Sequence, residues 1–170
     1  MQHNTVFLIG FMGSGKSYWG NIWSQQAGIP FYDLDTVIET QQQKTIAQIF
    51  EEKGEAYFRK IETSALENFT GNNHTIVACG GGTPCFNNNM KWMNSNGITI
   101  YLKASPGEIM MRVKNEQAQR PLIKNLQWEE LLPFIEKKLE EREPFYRQAK
   151  YILPVSSLSQ TTINNILANQ

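Results

Sequence analysis

Residues Gly10-Phe11-Met12-Gly13-Ser14-Gly15-Lys16-Ser17 keep the spacing G-x-x-x-x-G-K-[ST], and each fixed position of that pattern has a chemical reason. Glycine lets backbone N–H groups close in on an anion without an intervening Cβ, so Gly13, Ser14 and Gly15 form a cradle for phosphate oxygens. Lys16 adds a cation that reaches the β- and γ-phosphates, and the Ser17 hydroxyl is placed to ligate Mg²⁺. A helix that begins at Gly15–Lys16 turns its unpaired N–H groups and positive dipole end toward the same anion. The loop therefore reads as a nucleoside triphosphate site. The plainer alternative is a Gly-rich turn that only caps a helix.

The chain has two aspartates, Asp33 and Asp35. A GTPase switch protein needs a D-x-x-G turn and a guanine-reading N-K-x-D, and neither can be built here. A magnesium-binding carboxylate must come from this pair or from a glutamate. Read as the end of a strand, Tyr32-Asp33-Leu34-Asp35 alternates and points both carboxylates to one side. One could hold Mg²⁺ or its waters, leaving the other to orient, or take a proton from, an acceptor hydroxyl. The competing structural reading makes Asp35 the N-cap of a helix starting at Thr36–Val37.

Arginine is nearly as sparse: Arg59, Arg112, Arg120, Arg142 and Arg147. A planar fork that grips carboxylate or phosphate through two hydrogen bonds is the reason to use Arg rather than Lys. Periodicity does not rank the five, and any of them could be a surface helix residue. Phe50 and Phe58 flank the approach to Arg59, with ordinary core packing as their alternative. Trp19 and Trp23, four apart on the first helix, read as packing residues. Gly80-Gly81-Gly82 can bring backbone N–H groups to a ligand or can be a simple turn.

These residues need a scaffold, and the patterning supplies one. Strand-like runs at Thr5–Ile9, Pro30–Asp33, Thr75–Cys79, Ile98–Leu102 and Tyr151–Val155 alternate with helical patterns. The helices are Lys16–Ala27, a long region from Thr36 to Phe69 broken near Gly54, Pro106–Lys114, Trp128–Gln148 and Gln160–Ala168. That order predicts an α/β fold: a five-stranded parallel sheet between two helical layers, with ligands beyond the carboxyl ends of the strands. Residues 1–170 read as a single domain, and the polar segment 115–125, which carries Arg120-Pro121, reads as a mobile lid over the nucleotide.

The bulk numbers narrow the classes. Sixteen basic and sixteen acidic residues cancel, which speaks against nucleic acid or an anionic membrane as partner. No run is long enough to span a membrane, and the N-terminus lacks the marks of a secretory signal, so a cytoplasmic location is expected. Cys79 and Cys85 do not make a disulfide framework, and His3 and His74 are too isolated for a zinc site.

Taken together, the motifs resemble the shikimate kinase family. The resemblance runs through Gly10–Ser17, Asp33-Leu34-Asp35, Ile49-Phe50, Gly54-Glu55, Phe58-Arg59, Glu62, Gly80-Gly81-Gly82, Arg120-Pro121-Leu122 and Arg142-Glu143-Pro144-Phe145-Tyr146. It implies a P-loop fold of the nucleoside monophosphate kinase type and transfer of the ATP γ-phosphoryl to the 3-hydroxyl of shikimate. It assigns Lys16 and Ser17 to ATP and Mg²⁺, Asp33 to the metal, and Asp35 to the shikimate hydroxyls. Arg59 and Arg142 become a clamp on the shikimate carboxylate, with the Gly81 N–H nearby and Glu62 holding Arg59. Phe50 and Phe58 wall the ring, Arg120 meets the phosphates from the lid, and Arg112 lies near the adenine. A monomer is implied. One departure is Pro154, which stands where relatives often carry a Val-Asp pair leading to the adenine loop. The alternatives are another small-metabolite kinase of this fold, such as a gluconate kinase, or a non-catalytic binding module.

Overall fold

The computed structural model describes residues 5–69, 74–114 and 123–168. Five strands form one parallel sheet: β1 (Thr5–Ile9), β2 (Phe31–Asp33), β3 (Thr75–Ala78), β4 (Ile98–Lys103) and β5 (Tyr151–Pro154), in the spatial order β2-β3-β1-β4-β5. Every residue of β1 and β3 is buried, which requires cover on both faces and explains their unbroken apolar runs. The edge strands β2 and β5 alternate between more and less buried positions. Pro154 ends β5 on the sheet edge, where the missing N–H costs little.

Among the described residues seven α-helices cover the sheet: α1 (Lys16–Ala27), α2 (Leu34–Gln42), α3 (Ile46–Glu67), α4 (Asn89–Asn96), α5 (Pro106–Val113), α6 (Trp128–Tyr146) and α7 (Thr162–Ala168). The result is the expected three-layer α/β/α arrangement. Trp23 of α1 is buried and donates its Nε1–H to the Ser159 carbonyl at 2.9 Å, tying the segment after β5 to α1. No helix among the described residues is long and apolar enough to cross a membrane.

Most element ends fall within two residues of the sequence reading, but the region between β2 and β3 is divided differently. The helical region does not run unbroken from Thr36 to Gly54. It begins at Leu34, stops at Gln43 (φ 53°), and restarts behind a capping box in which Thr45 and Gln48 satisfy each other's backbone N–H groups. Gly54 (φ 78°, ψ 173°) then interrupts α3 as a kink rather than a loop. Helix α4 and the 3₁₀ turn Thr83–Cys85 were absent from the sequence reading. Asn and Ser dominate α4, so propensity opposes it; burial of Met90 and Met93 holds it in place. The lid segment 115–125 lies mostly outside the described residues, and Arg120 with it.

Candidate active site

The phosphate loop leaves the carboxyl end of the central strand β1, which pairs with β3 on one side and β4 on the other. Gly13 and Gly15 take left-handed φ values of 75° and 92°, which a side chain would strain. Lys16 folds back over the loop and donates from Nζ to the carbonyls of Gly10 (2.8 Å) and Phe11 (2.9 Å). Arg112 of α5 donates from Nη1 to the Gly13 carbonyl at 3.1 Å, bracing the loop from outside. Ser14 is fully buried, and its hydroxyl has no hydrogen-bond partner among the described residues. Ser17 donates to Asp33 Oδ2 at 2.7 Å.

The two aspartates converge, but not by strand alternation. Asp33 ends β2 and caps α2, its Oδ1 accepting from the backbone N–H of Asp35 (3.1 Å) and Thr36 (3.5 Å). Asp35 therefore stands in the first turn of a helix, and the N-cap role weighed for it belongs to Asp33. Burial pushes the Asp35 carboxyl up from 3.8 to about 6. The Asp33 and Glu62 carboxylates push in the same direction, Lys16 partly offsets them, and Glu39 adds a smaller push upward.

Helix α3 supplies the first arginine. Arg59 donates Nη1 to Glu62 Oε2 (2.9 Å) and both Nε (3.2 Å) and Nη2 (3.0 Å) to Glu55 Oε1. Glu62 is buried and also accepts from Thr83 Oγ1 at 2.6 Å, so the 3₁₀ turn is fixed to the same carboxylate. Thr83 carries no motif of its own, and the sequence reading missed it. Phe58 is buried beside Arg59, and Phe50 packs on it with ring centroids 4.6 Å apart.

Helix α6 supplies the second. The Arg142 guanidinium lies over the Phe11 ring at 5.3 Å and has no carboxylate partner among the described residues. One turn later the buried Tyr146 donates its hydroxyl to the Gly81 carbonyl at 2.5 Å. Its ring packs on Tyr101 at 5.0 Å, and Tyr101 in turn donates to Glu143 Oε2 at 2.7 Å. Burial pushes both phenols well above their ordinary range, so they donate hydrogen bonds and do not ionise.

The glycine triplet is a place of close approach. A Cβ on Gly80 would lie 3.1 Å from Glu62 Oε1, one on Gly81 3.0 Å from Arg142 Nη1, and one on Gly82 2.7 Å from Arg59 Nη2. Each glycine thus makes room for a different charged side chain.

Two of the cavities adjoin at the glycine triplet. One, of about 670 Å³, is lined by Gly13, Gly15, Lys16, Ser17, Asp33 and Arg112, with Tyr18 and Trp19 on its wall. The other, of about 560 Å³, is lined by Phe58, Arg59, Glu62, Gly82 and Arg142, with Glu39 from α2. Met12, Asp35, Gly80 and Gly81 border both. Trp19, read from sequence as packing alone, stacks on Trp23 at 5.6 Å and also faces the first cavity. Phe50 does not line the second cavity but backs Phe58, which does. Arg120 is the one candidate residue outside the described set.

A parallel sheet with a phosphate loop at its central strand, opening beside a second cavity lined by arginines, defines a P-loop phosphotransferase acting on a small acceptor. The family model for shikimate kinase matches residues 12–169. The chain belongs to the shikimate kinase family. It is 39% identical over 153 residues to the shikimate kinase of Bacteroides thetaiotaomicron, covering 90% of this chain and 87% of that one. The crystal structure of a shikimate kinase from the same species superposes with a TM-score of 0.90 at 35% identity, over 98% of each chain. The shikimate kinase of Acinetobacter baumannii, solved in complex with shikimate, matches with a TM-score of 0.86 at 31% identity, over 98% of this chain and 94% of that one. Family membership sets aside the gluconate kinase alternative.

Proposed function

We propose that this chain transfers the γ-phosphoryl of ATP to the 3-hydroxyl of shikimate, with Asp35 as the group that handles the acceptor's proton. The observation that carries this reading is that Asp35 alone among the described carboxylates borders both cavities. ATP places its phosphates against Gly13–Ser17, and Lys16 leaves its loop carbonyls for the β- and γ-phosphates. The shikimate carboxylate lies between Arg59 and Arg142, near the Gly81 N–H. Arg59 is held by its two glutamates and keeps further N–H groups for an anion, whereas Arg142 has no competing carboxylate among the described residues. Each charge-assisted hydrogen bond to the carboxylate contributes about 1.5–3 kcal/mol and fixes which hydroxyl faces the phosphate.

With the ring so held, the hydroxyl oxygen attacks the γ-phosphorus as Asp35 takes its proton. The bond from that phosphorus to the bridging oxygen breaks, and its electron pair leaves with ADP. Ser17 Oγ and Asp33 Oδ2, 2.7 Å apart, are hard oxygen donors that suit Mg²⁺. Among the described residues no cluster of three or more His, Cys, Asp or Glu side chains competes as a metal cage. That sparseness agrees with an ion held mostly by phosphates and water. Mg²⁺ bound there supplies charge neutralisation on the phosphate oxygens. Arg120 is assigned to the transferring phosphoryl by the family resemblance. The family resemblance implies action as a monomer.

The test is ADP release from ATP and Mg²⁺ with shikimate, gluconate or AMP offered separately. Release that requires shikimate is expected; release with either other acceptor, or with none of the three, overturns the proposal.

A further inference from the structure

Phe86 is a large apolar side chain that stays 37% exposed, on the segment that follows the glycine triplet and the 3₁₀ turn. Burial gives no reason for phenylalanine at such a place. Its ring is instead the surface on which Arg59 rests: the guanidinium carbon lies 4.1 Å from the Phe86 centroid, against 5.1 Å for Phe58. A guanidinium over an aromatic face at that distance is held by the ring quadrupole as well as by contact.

The carboxylates hold the edges of the fork and leave its faces to other groups. Glu55 is 57% exposed, so its pair with Arg59 is screened and loosely held. Glu62 is buried and holds Nη1 from one edge by a single hydrogen bond, which does not support the guanidinium face. Phe86 supplies the missing constraint, and its own place is set by the next residue. Asn87, at φ 50°, donates from Nδ2 to the Arg59 carbonyl (3.1 Å) and to Thr63 Oγ1 (3.0 Å). The aromatic ring is thereby pinned to the turn of α3 that bears the arginine it supports.

We propose that Phe86, anchored by Asn87, is a positioning residue that sets the plane of the Arg59 guanidinium and so the affinity for the acceptor's carboxylate. The inference rests on the carboxylate clamp described above. Phe86 does not touch the acceptor; it acts through Arg59.

The test compares Phe86→Leu, which keeps apolar bulk without an aromatic face, with Phe86→Tyr, which keeps the face. Arg59→Lys is measured in parallel. Steady-state KM for shikimate, KM for ATP, kcat and Tm are read for each. The expected result for Phe86→Leu is a rise of about tenfold in KM for shikimate, with KM for ATP and kcat within about twofold of the parent. Phe86→Tyr is expected to match the parent. A raised KM in Arg59→Lys beside an unchanged KM in Phe86→Leu overturns the inference alone. Equal losses in the Leu and Tyr variants, or a fall in kcat and Tm along with affinity, reduce Phe86 to packing and also overturn it. An unchanged KM in Arg59→Lys overturns the clamp and this inference with it.

Discussion

Asp35 holds its proton more tightly in the folded chain than in the unfolded one, because its carboxyl titrates near 6 in the fold and near 3.8 outside it. Ionising it inside the fold therefore costs stability. The cost is absent below about pH 4, grows between the two values, and reaches about 2–3 kcal/mol above pH 6. Asp35→Asn removes that cost, so its Tm should exceed the parent's at pH 8, with the gap closing by pH 4. The same variant should fold and bind ATP yet turn over poorly, since an amide cannot take the hydroxyl's proton. In the parent, kcat/KM for shikimate should rise with pH through about 6 as the carboxylate forms. A flat profile there, or near-normal turnover by the amide, would remove Asp35 from the mechanism.

At the scale of elements, the site is made where helices and turns meet beyond the carboxyl ends of the strands. Gly82 shows how tight that meeting is. Its backbone is ordinary (φ −89°), so alanine fits the chain locally, but a Cβ would stand 2.7–3.1 Å from the Arg59 guanidinium. The guanidinium is the mobile end of a long side chain, so it yields and the fold does not. Gly82→Ala should therefore keep its Tm within a few degrees while raising KM for shikimate severalfold, and an unchanged KM would show that Arg59 has room to spare. The phosphate loop and its flanking strand and helix were legible in the sequence because one local pattern specifies them. The pairing of Arg59 with Arg142 was not legible from periodicity, since they sit on different helices and meet only through the glycine triplet; family resemblance alone joined them. The two aspartates were expected on one side by strand alternation; both line the first cavity, but by another route. Asp33 caps the helix, and burial of Leu34 draws the chain into α2 two residues before the expected start at Thr36. Thr83 and Phe86 left no trace in pattern, because each matters only through a side chain brought to it by tertiary packing.

Across the whole molecule, the two cavities adjoin at Met12, Asp35, Gly80 and Gly81, and the described residues of the second include none from the phosphate loop beyond Met12. The acceptor's site therefore does not wait for nucleotide to assemble its arginines. Shikimate alone should raise Tm, by an amount that corresponds to about 2.7 kcal/mol at one hundred times its Kd, and ADP alone should do so independently. Stabilisation by shikimate only when nucleotide is present would mean that the arginines are ordered by the first ligand. Trp19 gives this arrangement an optical side. Its indole is partly buried on the wall of the first cavity, 5.4 Å from Tyr18 and 5.6 Å from Trp23, while Trp23 is sealed in the core. A purine arriving in that cavity changes the polarity and quenching around one indole and leaves its neighbour untouched. The chain thus carries its own dye-free emission gauge of nucleotide occupancy, one that Trp19→Phe should silence.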